Sequence, residues 1–278
     1  VLLQPGQDPH GFAPSAQQVA ALRTADLVVA NGLGLEEGLL DVLAEAGGDG
    51  VEVLELAPAL DPVTRDGQQD DPDGHESAAG DDPHAEDDHG EEGHGADPHV
   101  WLDPVRVADA VGLLAERLAH VDSRLDDEVW RERGRRLSAL ILDVHLSVER
   151  TLADVPMPCR VLVTNHDSLG YMADRYGFTV LGTVIPGTST NAQPSARDFA
   201  ALVQIIREAG VTAIFAETSE STRLAETLAQ EVGEIEVIQL HTGSLGEPGS
   251  GAETYEGMLT SNARRMAEAL SSCAAAAG

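Results

Sequence analysis

Apolar positions along the chain fall alternately into helical spacing and short continuous runs. Ser15 to Arg23 reads as an amphipathic helix, and Ala25-Asp26-Leu27-Val28-Val29-Ala30 as a buried strand stopping at Asn31-Gly32. A second helix is predicted from Leu35 to Ala46, halted by Gly47-Gly48, and a second strand over Val51 to Leu56. The opening Val1-Leu2-Leu3 reads as the end of a strand entering a loop. Strands separated by helices of this length need crossovers, which implies a parallel sheet.

From Asp61 to Pro98 the periodicity disappears. The segment holds 14 acidic residues, four histidines (His75, His84, His89, His94) and one arginine among Gly and Pro, and disorder is expected. Order resumes at His99, with a helix over about Val105 to His120. A long helical pattern follows from Asp126 to Leu152 and ends before Pro156 and Pro158. At 1.5 Å per residue it spans about 40 Å, more than one layer needs, so it reads as a strut between two lobes.

Beyond the strut the alternation restarts. Strands are predicted at Arg160–Thr164, Thr179–Val184, Ala213–Ala216 and Glu236–Leu240, with helices at Ser168–Tyr176, Ala196–Ala209, Ser221–Val232 and Thr254–Leu270. The fold class is therefore α/β: two lobes with parallel sheets flanked by helices, joined by one long rigid helix. The expected boundaries are residues 1–125, 126–155 and 156–278. Ligands of such sheets bind beyond the carboxyl ends of strands, where His166, Glu217 and His241 lie.

The formal charge of −31 excludes nucleic acid as a partner, because phosphate neutralisation supplies that affinity, and it favours cationic ligands. Aromatics are only 3%, so the cores must be built from Ala, Val, Leu and Ile. No window approaches the roughly 20 apolar residues of a membrane span. Cys159 and Cys273 allow one pairing, which leaves the redox compartment open.

Three histidines sit at the tips of polar turns: Asp8-Pro9-His10, Asp97-Pro98-His99 and Asn165-His166-Asp167. Proline fixes the backbone ahead of the ligand and the Asp can accept backbone hydrogen bonds, while Asp167 or Ser168 can cap the helix after His166. Taken singly, each is read more simply as a solvated or packed turn residue. Three neutral imidazoles on loops of one scaffold instead make a zinc site. His120 and His145 lie within helices and read as solvent-facing. The four histidines of the acidic segment suggest many weak, exchangeable zinc positions, or merely a solubilising linker.

The succession Pro5-Gly6-Gln7-Asp8-Pro9-His10-Gly11-Phe12, then Asn31-Gly32-Leu33-Gly34-Leu35-Glu36, Asp97 to Pro104, Asn165 to Tyr171 with Tyr176-Gly177-Phe178, and Gly246 to Asn262 resembles the zinc/manganese solute-binding proteins of metal ABC transporters, cluster A-I, of the zinc type with a His-rich loop. The resemblance implies a metal held in the cleft between the lobes by His10, His99 and His166, and delivery to a membrane permease. Zn²⁺ would be cargo rather than cofactor, and His166, where manganese-selective members commonly carry a carboxylate, favours it over Mn²⁺. Gly243 stands where many members have a ligating Asp, so the fourth ligand is water most simply, Glu217 next, or else His241 or a loop histidine. The family usually begins with a strand and helix ahead of the Asp-Pro-His turn, which the first lobe here is expected to lack. The implied protein is an extracytoplasmic monomer, periplasmic or at the cell surface, with lipid anchoring through the missing segment left open. Alternatives are a surface adhesin or zinc scavenger on the same fold and, against the absence of a His-Glu-x-x-His motif, a three-histidine zinc hydrolase.

Overall fold

A computed structural model describes residues 2–64, 95–233, 235–271 and 273. The first lobe contains α1 (Ala16–Leu22), β1 (Val28–Ala30), α2 (Leu40–Gly48), β2 (Val53–Glu55) and α3 (Pro104–Val121). The long helix α4 (Asp127–Ala153) follows. The second lobe runs β3 (Val161–Thr164), α5 (Gly170–Tyr176), β4 (Thr179–Thr183), α6 (Ala196–Ala209), β5 (Ala213–Glu217), α7 (Arg223–Val232), β6 (Glu236–Leu240) and α8 (Tyr255–Ser271).

Local chemistry sets many of these bounds. Ser15 and Gln18 form a reciprocal capping box at the start of α1, and Asp103 caps α3 with Pro104 at its first position. Gly177 ends α5 and Gly210 ends α6 in the left-handed conformation that glycine adopts most readily.

Both sheets are parallel. β1 pairs with β2, and the second sheet has the order β4-β3-β5-β6. The chain leaves β3 for β4 on one side and returns to β5 on the other, so the strand order reverses between β3 and β5. That reversal opens a crevice at the carboxyl ends of those two strands. His166 lies just beyond the end of β3 and Glu217 closes β5.

Alternation with period two sorts the second sheet's side chains. Leu162 and Phe215 face a core shared with Val144, Val148 and Leu152 of α4 and Leu259 and Met266 of α8. Val163 and Ile214 face Leu202 and Ile206 of α6 and Leu228 of α7. A separate cluster of Leu22, Val28, Ala30, Leu39 and Leu43 fills the first lobe. Helix α4 packs on α3 at one end and on α8 at the other, which makes it the join. A disulfide links Cys159, just ahead of β3, to Cys273 after α8, closing the pairing that the sequence left open.

Several expectations need correction. Leu2 and Leu3 form no strand. Leu35 lies in a loop, a 3₁₀ turn at Glu37–Leu39 precedes α2, and α2 continues through Gly47 and Gly48, because the left-handed glycine is Gly50. Neither Asp167 nor Ser168 caps α5, since the Ser168 hydroxyl donates to Glu217 instead. His145 is half-buried, its ring stacked on Tyr176. The ends of the predicted disordered segment are ordered: Thr64 and Ala96 form an antiparallel bridge, and the Asp97 amide donates to the Val63 carbonyl at 2.8 Å. Residues 65–94, with the four loop histidines, lie outside the described residues. Among the described residues no helix is long and apolar enough to cross a membrane.

Candidate metal centre

The two Asp-Pro-His turns fold alike. Asp8 Oδ1 accepts from the His10 amide at 3.0 Å, and Asp97 Oδ1 accepts from the His99 amide at 2.9 Å. Each Asp thus closes a local turn two residues long, with proline holding the residue between, and the histidine is presented at its tip. Asn31, at the end of β1, fixes the second turn by donating to the Pro98 carbonyl at 2.9 Å. The third histidine leaves a strand end. Asn165 donates to the Phe215 carbonyl at 3.0 Å, Ile185 donates to the Asn165 carbonyl at 2.7 Å, and the Thr164 hydroxyl donates to the His166 carbonyl at 2.8 Å.

These anchors bring three rings to one point. The Nε2 atoms of His10 and His99 are 3.2 Å apart, and those of His166 and His99 3.1 Å. Nitrogens bound at about 2.0–2.1 Å to a tetrahedral ion sit roughly 3.3 Å from one another, so both pairs that include His99 hold nearly the spacing zinc requires. All three are buried, with 1–3% of their surface exposed.

Each ring also has a carboxylate behind it. His99 Nδ1 lies 2.7 Å from Asp97 Oδ1, His166 Nδ1 2.5 Å from Glu217 Oε1, and His10 Nδ1 3.5 Å from Glu37 Oε1. A carboxylate hydrogen-bonded at Nδ1, as Asp97 is to His99, keeps the proton there and turns the Nε2 lone pair inward, the arrangement that makes imidazole a ligand. The electrostatics follow from burial and crowding. Burial, then the neighbouring His99 and His166, push His10 down to about 4, against a smaller upward pull from Asp8 and Glu37. Burial also pushes His166 down, but its bond to Glu217 and that carboxylate's charge outweigh it, and His166 is raised. Glu217 is held below the usual carboxylate range, because its contact with His166 overcomes the opposing effect of burial.

The predicted residues therefore separate. His10, His99 and His166 are the described residues whose donor atoms converge, all within 4.8 Å of one another. Glu217 stands behind His166, its Oε1 also accepting from the Ser168 hydroxyl at 3.0 Å. His241 turns to its own lobe, with Nδ1 3.1 Å from the Thr218 hydroxyl and its backbone bonded to the Asn262 side chain. A Cβ at Gly243 would lie 3.0 Å from Ser219 Oγ and 3.3 Å from Pro9 Cδ, so a side chain there would press on the His10 turn. Glu37 was not singled out in the sequence. Nor were Thr190 and Asn191, which reach from the second lobe to Asp8 at 2.7 Å and Glu37 at 2.8 Å.

A family model described as zinc-uptake complex component A, periplasmic (ZnuA), matches residues 1–269. The chain belongs to the ZnuA family. Members of the ZnuA family are metal-binding solute-binding proteins of ABC transporters, not enzymes, which removes the hydrolase alternative. The zinc-binding protein TroA of Treponema pallidum is 29% identical over 277 residues, covering 97% of this chain and 80% of its own. The solved structure of the periplasmic zinc-binding protein TroA from Treponema pallidum superposes with a TM-score of 0.80 at 28% identity, over 97% of this chain and 89% of that one. The manganese-binding lipoprotein MntA of Bacillus subtilis is 29% identical over 274 residues, covering 97% of this chain and 81% of its own. The fold is that of the two-lobed ZnuA-family proteins, α/β with parallel sheets, and the histidine cluster lies in the cleft region.

Proposed function

We propose that this ZnuA-family protein captures Zn²⁺ outside the cytoplasm and delivers it to the permease of an ABC transporter. The observation that carries this reading is the meeting of three buried imidazoles, two pairs of their Nε2 atoms at near-tetrahedral spacing and all donors within 4.8 Å of one another, each with a carboxylate near its Nδ1. Three nitrogen donors suit borderline-soft Zn²⁺ better than the harder Mn²⁺, which prefers carboxylate and water oxygen. His10, His99 and His166 bind the ion. Glu217 holds the His166 ring, because its Oε1 is already engaged by Nδ1 and Ser168, and a water oxygen completes the tetrahedron.

Residues 1–125 and 156–278 act as the two jaws and residues 126–155 as their link. The disulfide supports an oxidising compartment, in keeping with relatives described as periplasmic proteins or lipoproteins. The protein works as a monomer. The histidines of residues 65–94 gather zinc weakly and are auxiliary to the central site.

Metal analysis and competition titration of the purified protein test this. One tight zinc site per chain is expected, surviving deletion of residues 65–94 and lost in His99→Ala. Tighter binding of Mn²⁺ than Zn²⁺, or tight zinc binding retained in His99→Ala, would overturn it.

A further inference from the structure

Tyr171 does not belong to the metal centre, yet it touches what holds the centre in place. Its side chain is fully buried, and it comes from α5, the helix that begins just past the His166 turn. The ring nevertheless packs in a first-lobe cluster with Ala57, Leu60, Val100 and Ala110. Arg106 of α3 lies over its face, 5.0 Å from the ring centroid. The phenol oxygen is the junction. It donates to the Asp97 carbonyl at 2.7 Å and accepts from the Val63 amide at 3.1 Å. Val63 and Asp97 are themselves bonded to each other, next to the Thr64–Ala96 bridge, so the hydroxyl pins both strands at the neck of the acidic segment. Asp97 in turn holds His99 twice, by its amide and by Nδ1. One turn further along α5, Arg175 grips Asp103 with two hydrogen bonds, at 2.9 and 2.7 Å, so this helix face is fastened to the first lobe at two levels.

We propose that Tyr171 is a positioning residue for metal binding: its hydroxyl fixes the Asp97 backbone, and through Asp97 the His99 ring, while its helix follows directly on the turn of the opposing ligand His166. The chemistry favours a phenol here. A hydroxyl both donates and accepts, so it serves the neck amide and the Asp97 carbonyl together, whereas phenylalanine of nearly the same shape makes neither bond. With that tie absent, Asp97 keeps its bonds to Val63 and His99, but the turn is anchored less firmly and the His99 ring is aimed less tightly. This rests on the reading that His10, His99 and His166 hold the ion.

Tyr171→Phe, Asp97→Asn and the double variant test it in the full chain, by zinc competition titration and by the absorption spectrum of the cobalt(II)-loaded protein. Tyr171→Phe is expected to weaken zinc binding by about 3- to 10-fold, less than the 10- to 100-fold usual for a group bonded directly to a ligand. The cobalt ligand-field bands should shift as His99 reorients. Because Tyr171 acts through Asp97, the double variant should bind no more weakly than Asp97→Asn alone. Additive losses, or unchanged affinity and spectrum in Tyr171→Phe, would overturn the proposal while leaving the three-histidine site intact. Loss of zinc binding by the wild type would instead defeat the reading beneath it. Amide exchange in the wild type gives a check that needs no variant: zinc should slow exchange at Val63 and Asp97, and unaltered exchange at both would count against the coupling.

Discussion

At the centre each imidazole has a carboxylate near its Nδ1, of different origin: Asp97, hydrogen-bonded, from the same turn, Glu37 at 3.5 Å from a neighbouring 3₁₀ turn, Glu217 from a strand of the same lobe. Removing such a support leaves the ligand in place but unaimed, so Asp97→Asn should weaken zinc binding about 10- to 100-fold without unfolding the protein. Competition titration beside a thermal melt separates the two effects. The pH profile follows from the same contacts. Zinc needs deprotonated nitrogen, so a proton held at neutral pH must be expelled on binding. His166 is raised, and its competition should begin above the free-histidine value of about 6.5. His10 is pushed down to about 4, so its lone pair stays available until then. Affinity should therefore fall in a shallow step from near neutrality and more steeply near pH 4, and an affinity flat from pH 8 to 5 would contradict this. The Asp-Pro-His turns were legible in the sequence because their bonds span two residues. Glu37 was not, because its approach to His10 depends on the loop from Asn31 to Gly38, where a Cβ at Gly38 would collide with the Phe12 carbonyl.

Among the elements, the strongest sequence signals were the most faithful. The helical pattern predicted from Asp126 to Leu152 is α4, displaced by one residue, because apolar positions at helical spacing over seven turns leave little choice. Short elements drifted, since β1 and β2 start where pairing begins rather than where apolar residues begin. The crossing of α3 and α4 was invisible from sequence. Gly134 meets Ala115 so closely that an added Cβ would sit 2.5 Å from the alanine Cβ. Gly134→Ala gains about 0.8–1 kcal/mol of helix propensity. It must also push two packed helices apart, which costs about 1–3 kcal/mol. The second effect should win, and urea denaturation should show a net loss of stability. The disulfide acts at the other end of the second lobe, tying residues 114 positions apart. Replacing Cys159 and Cys273 with serine should destabilise the protein by about 2–5 kcal/mol, with a clear drop in melting temperature in non-reducing buffer.

Across the whole molecule the lobes are fastened at several points besides α4. Trp101 donates to the Thr242 carbonyl at 2.6 Å, Tyr255 donates to the Trp101 carbonyl at 2.8 Å, and Asp103 is buried between Arg106 and Arg175. These ties predict small movements of the ligand turns on metal release rather than wide opening. Solution scattering with and without zinc should give nearly superimposable profiles, and a large increase in radius of gyration on metal removal would contradict that. The two-lobed α/β plan was legible because alternation of strands and helices carries it. The convergence of histidines from distant turns was inferred from the turns' chemistry and the family's motifs, and its geometry required the fold. That convergence is tested most directly by X-ray absorption at the zinc edge, on protein lacking residues 65–94 and loaded with one ion per chain. Three imidazole nitrogens and one oxygen at about 2.0–2.1 Å are predicted, with one imidazole fewer in His99→Ala. Fewer than three imidazoles in the starting protein, or a spectrum unchanged by His99→Ala, would contradict the three-histidine site.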